Sequence, residues 1–523
     1  MLFAIILSMF TLSDIAEKSN QELQQLLLNT SKELSQKAQE ITLLRQRLNQ
    51  LLQNQYGRKS EKLDYSLQDH LFDEADLSEC HQEDVVAAEE QITVPAHTRQ
   101  RGRKPLPKEL PRIRVDHDLR EAEKHCHCGC QLTQIGEDIS EQLDIIPAQV
   151  RVIQHVRLKY ACKGCEETIK RAKAPNLPIP KSIASPGLLS HIIVSKFKDH
   201  LPLYRQEHMF QRMGVDIPRH TLSYWIIRCG ELLKPLVREL RKIICQYDVA
   251  FADETTVQVL KEKNRPASTK SYMWLFAGGP PEKKCFIYEY NPSRSHEIAK
   301  DFFAEFSGYL HCDGYPGYQT LFNVMPINGV HCWMHARRKF MDIIKTIKGN
   351  KTGLCHWAVA QIAKLYQIEA EAKANKLTPQ QRKQLRLTKA KPILDTIKAW
   401  LDKKIATTPP SFAIGKAIAY CVKFWPALIR YLEDGRLEID NGLSERAIRP
   451  FTIGRKNWVF CDTPNGAHAA AVIYSLVETC KTHDIEPYAY FRYVLSNIAR
   501  CETPQDYQTL LPFHLRPEQL IVQ

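Results

Sequence analysis

At 523 residues the chain is long enough for several domains, each with its own core. Its 44% hydrophobic and 25% charged residues give no support to global disorder or to a membrane protein. Lys and Arg outnumber Asp and Glu by 72 to 59, a net charge of +13 that favours a polyanionic partner. The 16 cysteines are dispersed except for two tight clusters, which argues against a secreted disulfide framework and for a reducing cytosol with a metal site.

The opening MLFAIILSMF is apolar, but no basic residue precedes Lys18, no small-residue cleavage pattern follows, and the run is too short to span a bilayer. It reads as a non-cleaved start, with a signal peptide as the alternative. Residues 1–56 form the first region. Leu27, Leu34, Ile41 and Leu48 recur every seven residues, and Leu23, Leu44 and Leu51 fill the complementary seam, interrupted by Thr30 and Lys37. The spacing predicts a coiled coil and hence a homo-oligomer; the alternative is an amphipathic helix packed on its own protein.

Residues 57–120 read as a linker. An acidic run from Asp64 to Glu90 is followed by a basic segment in which Arg101, Gly102, Arg103 and Lys104 resemble arms that enter narrow minor grooves, or serve as a solvated basic stretch. In residues 121–180, Cys126, Cys128 and Cys130 precede Cys162 and Cys165, with a glycine in each turn. Two such turns aimed at one ion are what tetrahedral zinc needs. Cys126 with Cys128, Cys128 with Cys130, or His125 with Cys128 can supply the first half. Four protein ligands leave no open position, so the site is structural.

Residues 181–246 turn helical. MGVDIP, at 213 to 218, is a Gly-containing turn, with Pro218 suited to the first turn of the next helix. A recognition helix carrying Arg219, His220, Ser223 and Tyr224 would make this a helix-turn-helix; otherwise it is a plain αα-hairpin. From Asp248 the runs DVAFADETTVQVL, SYMWLFAGG, KCFIYEY, GYLHCDG and NGVHCW predict five strands, with SHEIAKDFFAEF as a helix before the fourth. This is a mixed α/β layer in 247–345. A Lys-rich helical segment fills 346–435, and 436–523 closes the chain.

Within FADETTV, Asp253 shares a strand face with Val249, Phe251 and Val257, the set expected to lie under a packed helix, while Glu254 points the other way, towards structure or solvent. A carboxylate on the apolar face needs a partner, a proton or a metal. Asp313 ends a strand and is followed by Gly314; Glu445 lies in a short helical run with Arg449 four residues on. Two strand aspartates and a helix glutamate can converge to hold two divalent ions by hard oxygen ligands and attack a phosphodiester in line.

The chain closely resembles the insertion-sequence 66 family of DDE transposases along nearly its whole length. The resemblance rests on YGRKSEKLD, GRKPLP, the cysteine clusters with IGEDISEQLDIIPAQVRV between them, KYACKGC, DHLPLYRQ, FADETT, DGYPGY, CWMHARRKF, DGRLEIDN, ERAIRP and IGRKNWVF. Gly442 departs from the family's usual second Asn, and the first cysteine cluster is of the compact CxCGC kind.

The resemblance implies a leucine-rich helix, a zinc-ribbon-like DNA-binding module, and an RNase H-like core with a helical insertion before its glutamate; with the helix-turn-helix-like region read above, the chain is expected to be multidomain α/β. The resemblance also implies Asp253, Asp313 and Glu445 as catalytic residues with two Mg²⁺ or Mn²⁺, a structural Zn²⁺, and cleavage and strand transfer at an element's ends. A silent zinc-containing DNA-binding regulator and a non-transposing RNase H-like nuclease are the rival functions.

Double-stranded DNA, as terminal inverted repeats and target, is the expected partner, with accessory proteins of the same element and no membrane. The expected place is the bacterial cytoplasm, at the nucleoid. Arg58, Lys59, Arg101, Arg103, Lys104, Arg219, Arg337, Arg338, Arg446, Arg449, Arg455 and Lys456 are the expected DNA contacts, together with His335; an internal ion-pair network is the alternative for those near the core. Trp458 reads as core.

Overall fold

The computed structural model describes scattered helical positions between 25 and 48, Arg112 and Arg114, and residues 149–161, 169–173, 175–346 and 353–520. The first cysteine cluster, Cys162, Cys165, Arg58, Lys59, Arg101, Arg103 and Lys104 lie outside them. The chain divides into two compact units, residues 1–73 with 157–523, and residues 74–156. Of the second unit, the described residues 149–156 are exposed and carry no helix or strand. No described helix is long and apolar enough to cross a membrane.

In the first unit, β1 (Lys159–Ala161) and β2 (Ile169–Arg171) pair antiparallel. Three helices follow: α1 (Pro186–Phe197), α2 (Leu203–Arg212) and α3 (Arg219–Gln246). The turn between α2 and α3 is pinned where Glu207 Oε1 accepts the Arg219 N–H at 2.8 Å. Pro218 stands at the N-cap of α3 and not inside its first turn. Leu222, Trp225, Ile226, Cys229, Leu233, Leu236, Leu240 and Ile244 are buried at helical spacing along all 28 residues, so α3 is a scaffold for the core as well as one arm of the turn.

The five expected strands are β3 (Val249–Gln258), β4 (Lys270–Gly278), β5 (Cys285–Asn291), β6 (Gly308–Cys312) and β7 (Ile327–His331). They form one sheet in the order β5-β4-β3-β6-β7. The hairpin-connected β3, β4 and β5 are antiparallel, while β6 and β7 run parallel to β3. Helix α4 (His296–Phe302) leads into β6, α5 (Pro316–Val324) joins β6 to β7, and α6 (Trp333–Thr346) leaves β7. At Gly308 the φ of +138° and a backbone approach that would set a Cβ 2.3 Å from Asp248 O both demand glycine. The Tyr309 N–H then donates to that same oxygen at 2.9 Å, starting the β3/β6 ladder.

The insertion comprises α7 (Leu354–Ala374), α8 (Pro379–Leu385), α9 (Lys391–Ile405), α10 (Ala413–Lys423) and α11 (Trp425–Ile429). The chain returns through 434–441 to α12 (Gly442–Trp458), then α13 (Pro464–Thr482), α14 (Pro487–Asn497) and α15 (Pro504–Thr509). Helix α13 packs on α3 and on β5, the sheet edge. There Ser475 Oγ and Thr479 Oγ1 accept the Tyr288 and Phe286 N–H groups at 2.8 and 3.2 Å, satisfying donors that an edge strand leaves unpaired.

A buried ion cluster ties the insertion to the returning segment. Arg386, with 0% of its surface exposed, donates to Glu369 Oε1 and Oε2 at 2.7 and 2.8 Å and to the carbonyls of Tyr431, Asp434 and Leu437. Arg382 bridges Glu369 and Glu438. Glu369→Ala would leave a buried guanidinium without its counter-charge. It is expected to lower stability by about 3–5 kcal/mol, read as a fall in the urea midpoint. An unchanged midpoint would mean that the carbonyls alone hold Arg386.

Candidate active site

The sheet register brings the two aspartates together. Ala250 pairs with Leu310 and Phe251 with His311 across the parallel β3/β6 ladder, so carrying the register on sets Asp313 level with Asp253. Asp313 Oδ1 accepts the Tyr315 N–H at 2.9 Å, and Asp253 Oδ1 accepts the Glu254 N–H at 2.9 Å. Burial pushes the Asp253 carboxyl well above the usual range, and the charges of Glu254, Asp313 and Glu445 push it the same way. That Asp313 and Glu445 both act on it places all three acids in one electrostatic neighbourhood.

Glu445 reaches this neighbourhood because the segment before α12 is fastened at several points. Asn441 Nδ2 donates to Ala252 O at 3.0 Å, the residue before Asp253. The Glu438 N–H donates to His311 Nε2 at 3.3 Å, and Trp333 N–H to Ile439 O at 3.2 Å. Tyr366 of α7 holds Asp440 Oδ2 at 2.9 Å. Buried His311 stacks on Phe251 at 4.4 Å, and burial lowers its pKa to about 3, so it stays a neutral acceptor. Further along α12, Arg455 donates to Thr255 Oγ1 at 3.2 Å and to the Thr256 carbonyl, laying the helix along β3.

Around Glu445, Arg338 Nη2 lies 3.6 Å from Oε2, while His335 Nδ1 and Cys332 Sγ lie 3.5 and 3.9 Å from Oε1. Burial lowers His335 and raises the Cys332 thiol. The basic residues divide. Arg446, Arg449 and Lys456 are exposed and Arg338 is 42% exposed, whereas Arg337 is buried at 5% and Arg455 is committed to β3. Arg219 is exposed at the start of α3.

Glu254 faces neither Asp253's side nor solvent. Its side chain is 2% exposed and takes hydrogen bonds from Arg294 Nε at 2.8 Å, from Arg294 Nη2, and from the Tyr318 hydroxyl at 2.7 Å. The Arg294 guanidinium lies 3.9 Å over the Tyr315 ring, and the Tyr315 hydroxyl donates to Arg294 O at 2.5 Å. Since the Tyr315 N–H also caps Asp313, the network joins both aspartates. Sequence reasoning missed Arg294, Tyr315, Tyr318, Cys332 and Asn441; only the CxxH spacing of Cys332 and His335 carried a readable signal.

Residues 181–469, more than half of the chain, match the family model described as Transposase IS66 family. Residues 123–166 match the zinc-finger binding domain of transposase IS66, 475–513 the IS66 C-terminal element, and 43–115 a model described as Transposase C of IS166 homeodomain. The chain therefore belongs to the IS66 family of transposases. The zinc-finger match spans both cysteine clusters. Among its relatives, the uncharacterized protein y4jD of Sinorhizobium fredii (strain NBRC 101917 / NGR234) is 35% identical over 428 residues, which cover 79% of this chain and 82% of that protein. The uncharacterized protein y4qI of the same organism is 31% identical over 488 residues, covering 90% and 88%.

Proposed function

We propose that the protein is a DDE transposase that cleaves DNA at the ends of its element and joins the released 3′-hydroxyl to target DNA. The reading is carried by the β3/β6 register, which sets Asp313 level with Asp253, and by the bond from Asn441 to Ala252, which fastens the start of the helix bearing Glu445 beside them. The strand order, with three antiparallel strands followed by two parallel ones, is what an RNase H-like core would have. The helical insertion before Glu445 fits the same plan.

Three carboxylates of this kind suit Mg²⁺ or Mn²⁺, and an ion among them would offset the burial and the like charges that raise the Asp253 pKa. Two such ions would activate the attacking water or hydroxyl and stabilise the leaving oxygen. Asp253 and Asp313 hold one wall of the site, fixed by the ladder and by the Tyr315 cap; Glu445 closes the other. Arg338 and the exposed Arg446 are placed to take the phosphates flanking the scissile bond. Arg449, Lys456 and Arg219 extend the basic surface.

In the N-terminal helix the described seam residues Ile41, Leu44 and Leu48 are all more than half exposed in the single chain, which supports pairing with a second copy. The β1/β2 hairpin brackets the stretch containing Cys162 and Cys165, in keeping with a zinc ribbon that binds DNA and carries a structural Zn²⁺. Such an enzyme would act at the bacterial nucleoid, with its element's accessory proteins.

The test supplies a matched element end with Mg²⁺ and scores nicking and joining. Nicking without joining would leave a nuclease, and binding without either a regulator. The basic surface carries its own expectation: affinity for the element end should fall by roughly a thousandfold or more between 50 and 200 mM salt if six or more phosphates are contacted. A flat response in a filter-binding titration would remove the basic residues from the interface.

A further inference from the structure

Glu445 faces two ligand types that a magnesium site has no use for. Cys332 Sγ, His335 Nδ1 and the Glu445 carboxylate all lie within 4.8 Å of one another. Their separations from Glu445 Oε1 are 3.9 Å for sulfur and 3.5 Å for nitrogen. Around a tetrahedral zinc ion, with bonds of about 2.0 Å to nitrogen and oxygen and about 2.3 Å to sulfur, the ligand atoms stand about 3.3–3.6 Å apart. The cluster already holds two of these edges to within a few tenths of an ångström.

A second observation points the same way. His335 Nδ1 is buried and has no hydrogen-bond partner, although it is aimed at the gap between thiol and carboxylate. The 3.5 Å separation is too long for a good hydrogen bond, and the thiol donates to Glu445 Oε1 only at a long 3.9 Å, so the imidazole is left without a partner of its own. The three side chains come from rigid pieces. Cys332 directly follows β7, His335 lies three residues on in the first turn of α6, and Glu445 is in the first turn of α12. Cys332 is 1% exposed, whereas the His335 and Glu445 side chains keep 26% and 28%, giving an ion a route in and a fourth position for water.

We propose that Cys332, His335 and Glu445 form a second metal site, selective for zinc-class transition ions, whose occupation withdraws Glu445 from Asp253 and Asp313 and switches the active site off. Thiolate and imidazole favour such ions over Mg²⁺, and the thiol proton leaves to solvent as the ion enters. Arg338, 3.6 Å from the other Glu445 oxygen, sets a limit on affinity. This keeps the site reversible and responsive to ion concentration. The site itself stands on geometry; only the switching half rests on the DDE reading.

The experiment adds Co²⁺ to the full-length protein already holding its zinc-finger zinc, and follows the thiolate-to-cobalt absorption in the near ultraviolet. Wild type should take up one further cobalt per chain with that band, and Cys332→Ser and Cys332→Ala should lose the band. In parallel, Zn²⁺ is titrated into Mg²⁺-dependent cleavage of an element end. Zinc should inhibit wild type, and the inhibition constant, taken relative to each protein's own zinc-free rate, should rise roughly tenfold or more in Cys332→Ser. The same cobalt uptake and band in wild type and both variants would overturn the site; equal zinc inhibition would overturn the switch. If no form cleaves DNA at all, the DDE reading fails while the cobalt spectrum still decides the site.

Discussion

Asp253→Asn and Asp313→Asn are each expected to lower the rate of metal-dependent cleavage by about a thousandfold while leaving DNA binding intact. The physical basis is that the ladder between β3 and β6 sets these carboxyls side by side, so neither can be replaced by its neighbour. Cleavage in a gel assay within tenfold of wild type would remove that aspartate from the site. A companion measurement separates a catalytic loss from a folding defect.

In chelator, the raised Asp253 pKa makes stability fall as pH rises from the ordinary carboxyl value towards the folded one, because the folded state holds the proton that the unfolded chain releases. Asp253→Asn should flatten that fall, so its melting temperature above the carboxyl range should equal or exceed that of wild type. A lower melting temperature would make the residue structural.

Glu254→Ala is the second large effect. It removes the acceptor of three hydrogen bonds, leaves Tyr318 OH buried without a partner and frees Arg294 from its place over Tyr315. The expected cost is about 1–3 kcal/mol in stability, kept modest because Arg294 is 40% exposed. The larger consequence is for the metal. With Arg294 and Tyr315 loosened, the Asp313 cap is loosened too, and the Mg²⁺ concentration for half-maximal cleavage should rise by roughly tenfold or more. Glu254→Gln, which keeps an acceptor for Tyr318, should recover part of the shift. An Mg²⁺ dependence unchanged in the alanine variant would reduce Glu254 to a packing residue.

The strands were legible because their apolar runs are short and rich in β-branched and aromatic residues, and three of them, β4, β5 and β6, are closed by Gly or Pro. The helix α5 was not, since PGYQTLFNV is short and begins with Pro and Gly, which read as a turn. Asp253, Asp313 and Glu445 could be proposed from their types and places in strands and a helix. Glu254 could be placed on the opposite face by alternation alone, but that its face is covered depends on Arg294 and Tyr318, forty and sixty-four residues away. No local pattern encodes that approach. The same holds for Asn441, whose bond to Ala252 spans 189 residues.

The sealing of β5 by Ser475 and Thr479 has a consequence for assembly. A sheet whose outer strand already spends two amide protons on its own helix offers a visiting strand no continuous ladder there. A second copy of the chain would have to associate through surfaces other than this edge. High local concentration then carries less risk of runaway polymerisation through this edge.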